Sequence, residues 1–195
     1  PSSPMLRLFF SLSLLSVLAL GTAGCDSEES LLGEFEGRIA VGPEARVVDG
    51  EAVYTVVDGP YGPEFVIGLF VGDLYDSDFD EYDYVLFRRP GDRPGVGAYA
   101  IDDDPTRAFG ATIARVEEAD EPLDAVGAIL NGVGGTLALT RIDGYGFITG
   151  SFQFDARGVM AAPPNRSVDG NARGTFEARY EPPSVFRRLG LDLGI

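Results

Sequence analysis

From residue 34 onward, apolar side chains recur at every second position and seldom at every third or fourth. In "GEFEGRIAV" one phase holds Phe35, Gly37, Ile39 and Val41, and in "EAVYTVV" it holds Ala52, Tyr54 and Val56. "EFVIGLFVG" collects Phe65, Ile67, Leu69 and Val71 on one side and sets Val66 and Phe70 opposite. "YDYVLFRR", "VGAYAI", "AFGATIARVE" and "LDAVGAIL" continue the pattern less cleanly, and "GGTLALTRID", "GYGFITGSFQFDAR" and "GNARGTFEARYE" give three strong strands. Period-two alternation with Gly, Pro and Asp breaks at short intervals predicts an all-β protein, a single antiparallel barrel or strongly curved sandwich of about 8–10 strands. "DGPYGPE", "RPGDRPG" and "AAPPNRSVDGN" read as turns or loops, because Gly supplies positive φ and Pro fixes φ.

Two local features refine this. Asp143-Gly144 between alternating runs predicts a type I′ hairpin, pairing Leu137–Thr140 with Phe147–Gly150. Around it Gly135-Thr136-Leu137, Gly150-Ser151-Phe152 and Gly174-Thr175-Phe176 repeat a glycine two residues before a large apolar side chain. Such glycines suit a bend or a close approach, as when a sheet closes on itself; the alternative is chance, since the chain has 26 glycines. After Pro182-Pro183, Phe186, Leu189 and Leu193 fall at helical spacing and predict a short helix closing one end of the β domain, or a frayed tail.

The N-terminus breaks the pattern. Arg7 is followed by the uninterrupted run "LFFSLSLLSVLAL" and then by small residues up to Cys25, the single cysteine. A basic start, an apolar run of roughly 7–15 residues and a small-residue end describe a secretory signal peptide, whereas a spanning helix needs about 20 apolar residues. Thr22-Ala23-Gly24-Cys25 resembles a bacterial lipobox, although the usual leucine three before the cysteine is replaced by Thr22. The resemblance implies cleavage before Cys25 and lipidation of its sulfur; two or more acyl chains give stable anchoring where one does not. A lone thiol also rules out an internal disulfide framework. The expected organisation is a signal peptide over 1–24, a lipidated acidic tether over 25–33, the all-β domain over 34–181 and a C-terminal tail over 182–195. In "DSEES", the aspartate after Cys25 resembles an inner-membrane retention signal, and the acid-rich run resembles a surface-export signal. The reading taken is the cell envelope, with outer membrane or cell surface favoured over inner membrane.

Composition narrows the chemistry. The net charge is −16, every basic residue is arginine, and there is no lysine, histidine or tryptophan. Such a chain repels phosphate backbones, so nucleic acid is excluded as a partner. Acid-rich, lysine-free chains resemble proteins of salt-loving bacteria. Imidazole bases, Ser-His-Asp arrangements and Schiff bases are all out of reach, and no cofactor motif is present. Carboxylate, hydroxyl, tyrosine and arginine remain, and nothing in the sequence marks a paired-carboxylate hydrolase.

"DLYDSDFDEYDY" is the conspicuous polar stretch. Asp76, Asp78 and Asp80 alternate as at the start of a calcium loop, but Glu81 stands where the sharp turn needs glycine and Phe87 where the bidentate glutamate belongs. The loop is therefore not an EF-hand. It reads as a solvated acidic face running to Asp83, with weak Ca²⁺ binding through Asp76, Asp78 and Asp80 as the alternative. "IDDDP" at 101–105 reads as a turn in the same way. Tyr54, Tyr61, Tyr75, Tyr82, Tyr84 and Tyr99 either belong to the core or form a ligand-stacking surface.

"GTLALTRIDGYGFITGSFQFDAR" followed by "VDGNARGTFEARY", with "PGVGAYAI" upstream, resembles the C-terminal half of a group of predicted bacterial lipoproteins of unknown function, over about residues 64 to 180. The resemblance implies a lipid-anchored β domain and transfers no activity. The expectation is a non-enzymatic envelope module, held to the membrane by its N-terminal lipid, that binds an unknown protein, glycan or small molecule. The alternatives are a calycin-like carrier with an apolar ligand inside the barrel and a carboxylate-only hydrolase.

Overall fold

The computed structural model describes residues 33–59, 61–71, 82–102, 108–116, 126–144, 146–160 and 166–188. All belong to the compact unit Leu32–Ile195. The strands are β1 (Gly33–Val41), β2 (Glu44–Gly59), β3 (Gly62–Val71), β4 (Tyr82–Pro90), β5 (Gly97–Ile101), β6 (Gly110–Val116), β7 (Val126–Ile142), β8 (Phe147–Met160) and β9 (Arg166–Tyr180), followed by helix α1 (Pro183–Arg188). In the order β7-β6-β4-β3-β2-β1-β9-β8, with β8 returning to β7, eight of them close an antiparallel barrel. β5 pairs with the second half of β7, from Gly135 to Leu139, and β6 with the first half. Beyond the start of β1, β2 meets β9 directly in a short parallel pairing, Val53 with Arg179 and Tyr54 with Tyr180.

Closure follows from the alternation. An eight-strand barrel has an interior just wide enough for side chains to fill. Phe35, Phe65, Phe87, Phe152, Phe154 and Phe176 join one buried cluster from five strands. Phe87 packs edge-on against Phe152 at 5.4 Å and Phe154 at 5.7 Å between ring centroids, the orientation that aromatic quadrupoles favour. The glycine triplets make these rings fit. Gly150 lies opposite Phe176 and Phe152 opposite Gly174, so each ring on one strand faces a missing side chain on the other. A Cβ on Gly150 would stand 2.6 Å from the Phe176 ring. The close-approach reading of Gly150 and Gly174 therefore holds.

Four expectations need correction. "LDAVGAIL" and "GGTLALTRID" are one strand, β7, whose register shifts at Gly132/Gly134 and again at Leu139/Arg141. "AAPPNRSVDGN" is not wholly a loop, since β9 already runs from Arg166. The β7–β8 connection is not a two-residue turn: Ile142 pairs with Ile148, and Leu139 rather than Leu137 lies opposite Gly150. Among its described residues the left-handed glycine is Gly146, with φ 94°, not Gly144. Asp143 holds the connection at both ends, its N–H donating to Phe147 O at 3.1 Å and its Oδ1 accepting from the Phe147 N–H at 2.9 Å. Gly146→Val should consequently lower the melting midpoint, by roughly 1–3 kcal/mol of strain, while Gly144→Val should change it little. Equal midpoints for the two variants would place the left-handed residue elsewhere.

Finally, α1 closes no barrel end. Val53, Val57, Val66, Phe70 and Leu86 form a second apolar cluster with Phe186, whose ring meets Phe70 edge-on at 6.1 Å. Val66 and Phe70 lie on the phase opposite the barrel core, so this wall of β2–β4 is apolar on both faces and needs a cover. The helix supplies it. Thr55 is fully buried on the same phase, and its hydroxyl has no hydrogen-bond partner.

Candidate functional site

The strands that bury phenylalanines inside the barrel throw their alternate residues onto the outer wall. On β1, β9 and β8, and at Asp49 and Glu51 of β2, those residues are polar or charged, and the charges are grouped by sign in rows. Glu51, Glu34 and Glu177 are direct register neighbours across three strands, and Glu177 continues to Thr149 on β8. In the next outward row Asp49 lies opposite Glu36, and Glu36 opposite Thr175. Glu34, Glu36, Asp49, Thr149, Thr175 and Glu177 line a shallow groove of about 360 Å³. Thr149 donates its hydroxyl to Glu177 Oε2 at 3.3 Å. Like charges directly opposite in a sheet destabilise it by a few tenths of a kcal/mol each, up to about 1 kcal/mol, which salt reduces.

One row further the sign reverses. Arg38 on β1 lies directly opposite Arg173 on β9, and Arg173 opposite Gln153 on β8. With Asn171 and Asp155 they line a separate hollow of about 200 Å³. A third hollow of about 430 Å³ lies where Arg157 donates to Asp169 at 2.9 Å. That exposed pairing raises the Arg157 guanidinium above its ordinary range, through the Asp169 hydrogen bond first and its charge second.

A different arrangement occupies one end of the barrel. Asp83 on β4 shares the inward phase of Val85 and Phe87, and its register partner Arg115 shares that of Ala111 and Ile113. Arg115 Nε donates to Asp83 Oδ1 at 2.9 Å, and its Nη1 donates to Glu44 Oε2 at 2.9 Å. The hydrogen bond to Asp83 raises the guanidinium above its ordinary range, burial opposes the shift, and the charges of Asp83 and Glu44 add to it. Asp83 is therefore not part of a solvated acidic face: it is buried, paired and inside the barrel. Sequence reasoning missed this network, whose signal was a charge on the apolar phase in each of two strands.

Several tyrosines are structural. Tyr54 packs against Phe65 and Tyr180, with ring centroids at 5.8 and 5.6 Å, and its hydroxyl accepts from Arg93 at 3.4 Å. Tyr99 donates its hydroxyl to Gly95 O at 2.7 Å and lies under the Arg89 guanidinium, 5.2 Å from the ring centroid. Tyr84 packs beside Phe70 at the edge of the α1 cluster, while Tyr61 is fully exposed. No stacking surface assembles from these four.

Cys25 and the candidate ligands Asp76, Asp78 and Asp80 lie outside the described residues. Among the described residues, no three carboxylates or other ligating side chains stand close enough to hold a metal ion. Among the same residues no helix is long and apolar enough to cross a membrane, which says nothing of strands. No family model, no curated protein and no solved structure matches this chain.

Proposed function

We propose that the protein is a lipid-anchored envelope module whose β-barrel binds its partner or ligand on the outer wall and carries out no chemistry of its own. One observation carries this reading. The barrel axis is occupied by interlocking rings, Phe87 against Phe152 and Phe154, while sorted charge and open hollows lie outside. A carrier needs the opposite arrangement, an interior of small residues around a cavity. A carboxylate hydrolase needs two acids in a site that excludes water, and Glu34, Glu36, Asp49 and Glu177 are exposed on an open wall. Anchoring rests on the lipobox-like Thr22-Ala23-Gly24-Cys25 and on the acidic segment after it.

Two measurements test the two halves of the proposal. Cys25→Ser should move the protein from the membrane to the soluble fraction, because the apolar run alone is too short to hold it. A variant that stays with the membrane would overturn lipid anchoring. A fluorescent long-chain fatty acid should show no saturable uptake by the folded barrel. Stoichiometric uptake would replace surface binding with the carrier.

A further inference from the structure

We propose that Arg38, Arg173 and the amides beside them form a subsite for a phosphate or sulfate group of the bound ligand. This rests on the reading of the outer wall as the binding surface and names the chemistry of one part of it.

The argument begins with pairing. The chain has 31 carboxylates to 15 arginines, so a guanidinium normally finds a counter-charge. Arg46, Arg88, Arg115, Arg141, Arg157 and Arg179 each lie within 4 Å of one. Arg38, Arg89, Arg93, Arg166 and Arg173 have no ion pair among the described residues; of these, Arg89 lies over the Tyr99 and Phe109 rings and Arg93 donates to the Tyr54 hydroxyl. Arg38 and Arg173 stand apart because they are direct neighbours across β1 and β9 and both are exposed. Two like charges held opposite each other weaken a sheet, and no direct ion pair among the described residues offsets this one.

A ligand does. Guanidinium is a planar fork of donors that matches the oxygens of phosphate or sulfate two at a time, and the β1–β9 register brings two such forks to one hollow. Gln153, opposite Arg173, and Asn171, two residues before it on the same outward phase, add side-chain amide donors around the same hollow. Asp155 lines the far side and Glu36 stands one row away, so a second negative group on the ligand is repelled there. The subsite therefore selects a single phosphate or sulfate ester on an otherwise neutral or cationic molecule. A polyanion is rejected by the surrounding carboxylates.

The test uses the full-length chain in non-ionic detergent, titrated with inorganic phosphate or sulfate against chloride at equal ionic strength, with thermal unfolding as readout. At tenfold excess over Kd, linkage corresponds to about 1.4 kcal/mol, or about 3–5 °C in a chain of this size. That rise is expected with phosphate or sulfate and should be absent with chloride. Arg38→Gln and Arg173→Gln should fold with midpoints in chloride at or above the parent, since repulsion is relieved, and both should lose the phosphate increment. Glycerol phosphate and a hexose phosphate, compared as competitors, tell a lipid headgroup from a glycan by which binds more tightly. Equal effects of phosphate and chloride on the parent, or an increment that survives Arg173→Gln, would overturn the subsite. Neither result touches fatty-acid uptake, which tests surface binding separately.

Discussion

Gly174→Val is expected to unfold the barrel or to lower its stability by more than the roughly 3–5 kcal/mol typical of deleting a buried phenylalanine. A Cβ at position 174 would stand 2.3 Å from the Glu36 carbonyl oxygen, 2.9 Å from Gly37 Cα and 3.0 Å from the tip of the Phe152 ring. The first two are backbone atoms of β1, which cannot turn aside as a side chain can. Relief requires β1 and β9 to separate at the Gly37–Gly174 pairing, and that opens the ladder joining Glu34–Val41 to Gly170–Glu177. Valine adds two methyl groups beyond the Cβ, so over-packing compounds the clash. Gly134→Ala is the control, because a Cβ there meets nothing within 4 Å. Chemical denaturation should separate the two by several kcal/mol. A Gly174→Val midpoint equal to that of Gly134→Ala would mean that β1 and β9 do not approach this closely.

The architecture was largely legible because two-residue alternation is a geometric consequence of the pleat. Phe65, Ile67 and Leu69 share the core, with Val66 and Phe70 opposite, as their spacing requires. Barrel closure was legible only as an option, since it rests on the pairing of β1 with β9, the first and last strands, whereas the β7–β8 hairpin would form in an open sheet as well. Turn chemistry misled at Asp143-Gly144. Asp143 serves as a side-chain acceptor for the Phe147 N–H, and the left-handed residue moves two places on. Charge was harder still. In "TIARV" and "EYDYVLF" an arginine and an aspartate sit on the apolar phase, but a sequence does not reveal that β4 and β6 are neighbours. The same holds for Arg38 and Arg173, which are 135 positions apart in the numbering and meet only through the β1–β9 register. Alternation tells which face a residue occupies, and pairing tells whom it faces.

Asp83→Ala is expected to destabilise the fold by about 3–5 kcal/mol, the usual cost of removing one member of a buried ion pair. The Asp83 and Arg115 side chains are 5% and 11% exposed, so the guanidinium would lose its main partner in a place water reaches poorly. Glu44 remains, but at 58% exposure it is screened by solvent and reaches Arg115 through Nη1 alone. The loss should persist at about 1 M salt, where surface pairs are largely screened and buried ones are not. Asp169→Ala, which breaks the exposed Arg157 pair, should produce no measurable change. The pH dependence has a definite sign. Arg115 is raised above its ordinary range, so its contribution is complete at every pH below that range and is lost only as pH rises through it. Between about pH 6 and about pH 9 the gap between parent and Asp83→Ala should therefore stay flat. Replacing the pair together, Asp83→Val with Arg115→Met, should recover most of the loss, because well-packed apolar groups substitute for a buried pair at little or no cost. If Asp83→Ala costs no more than Asp169→Ala, the barrel end is open to water and the pair belongs to the surface.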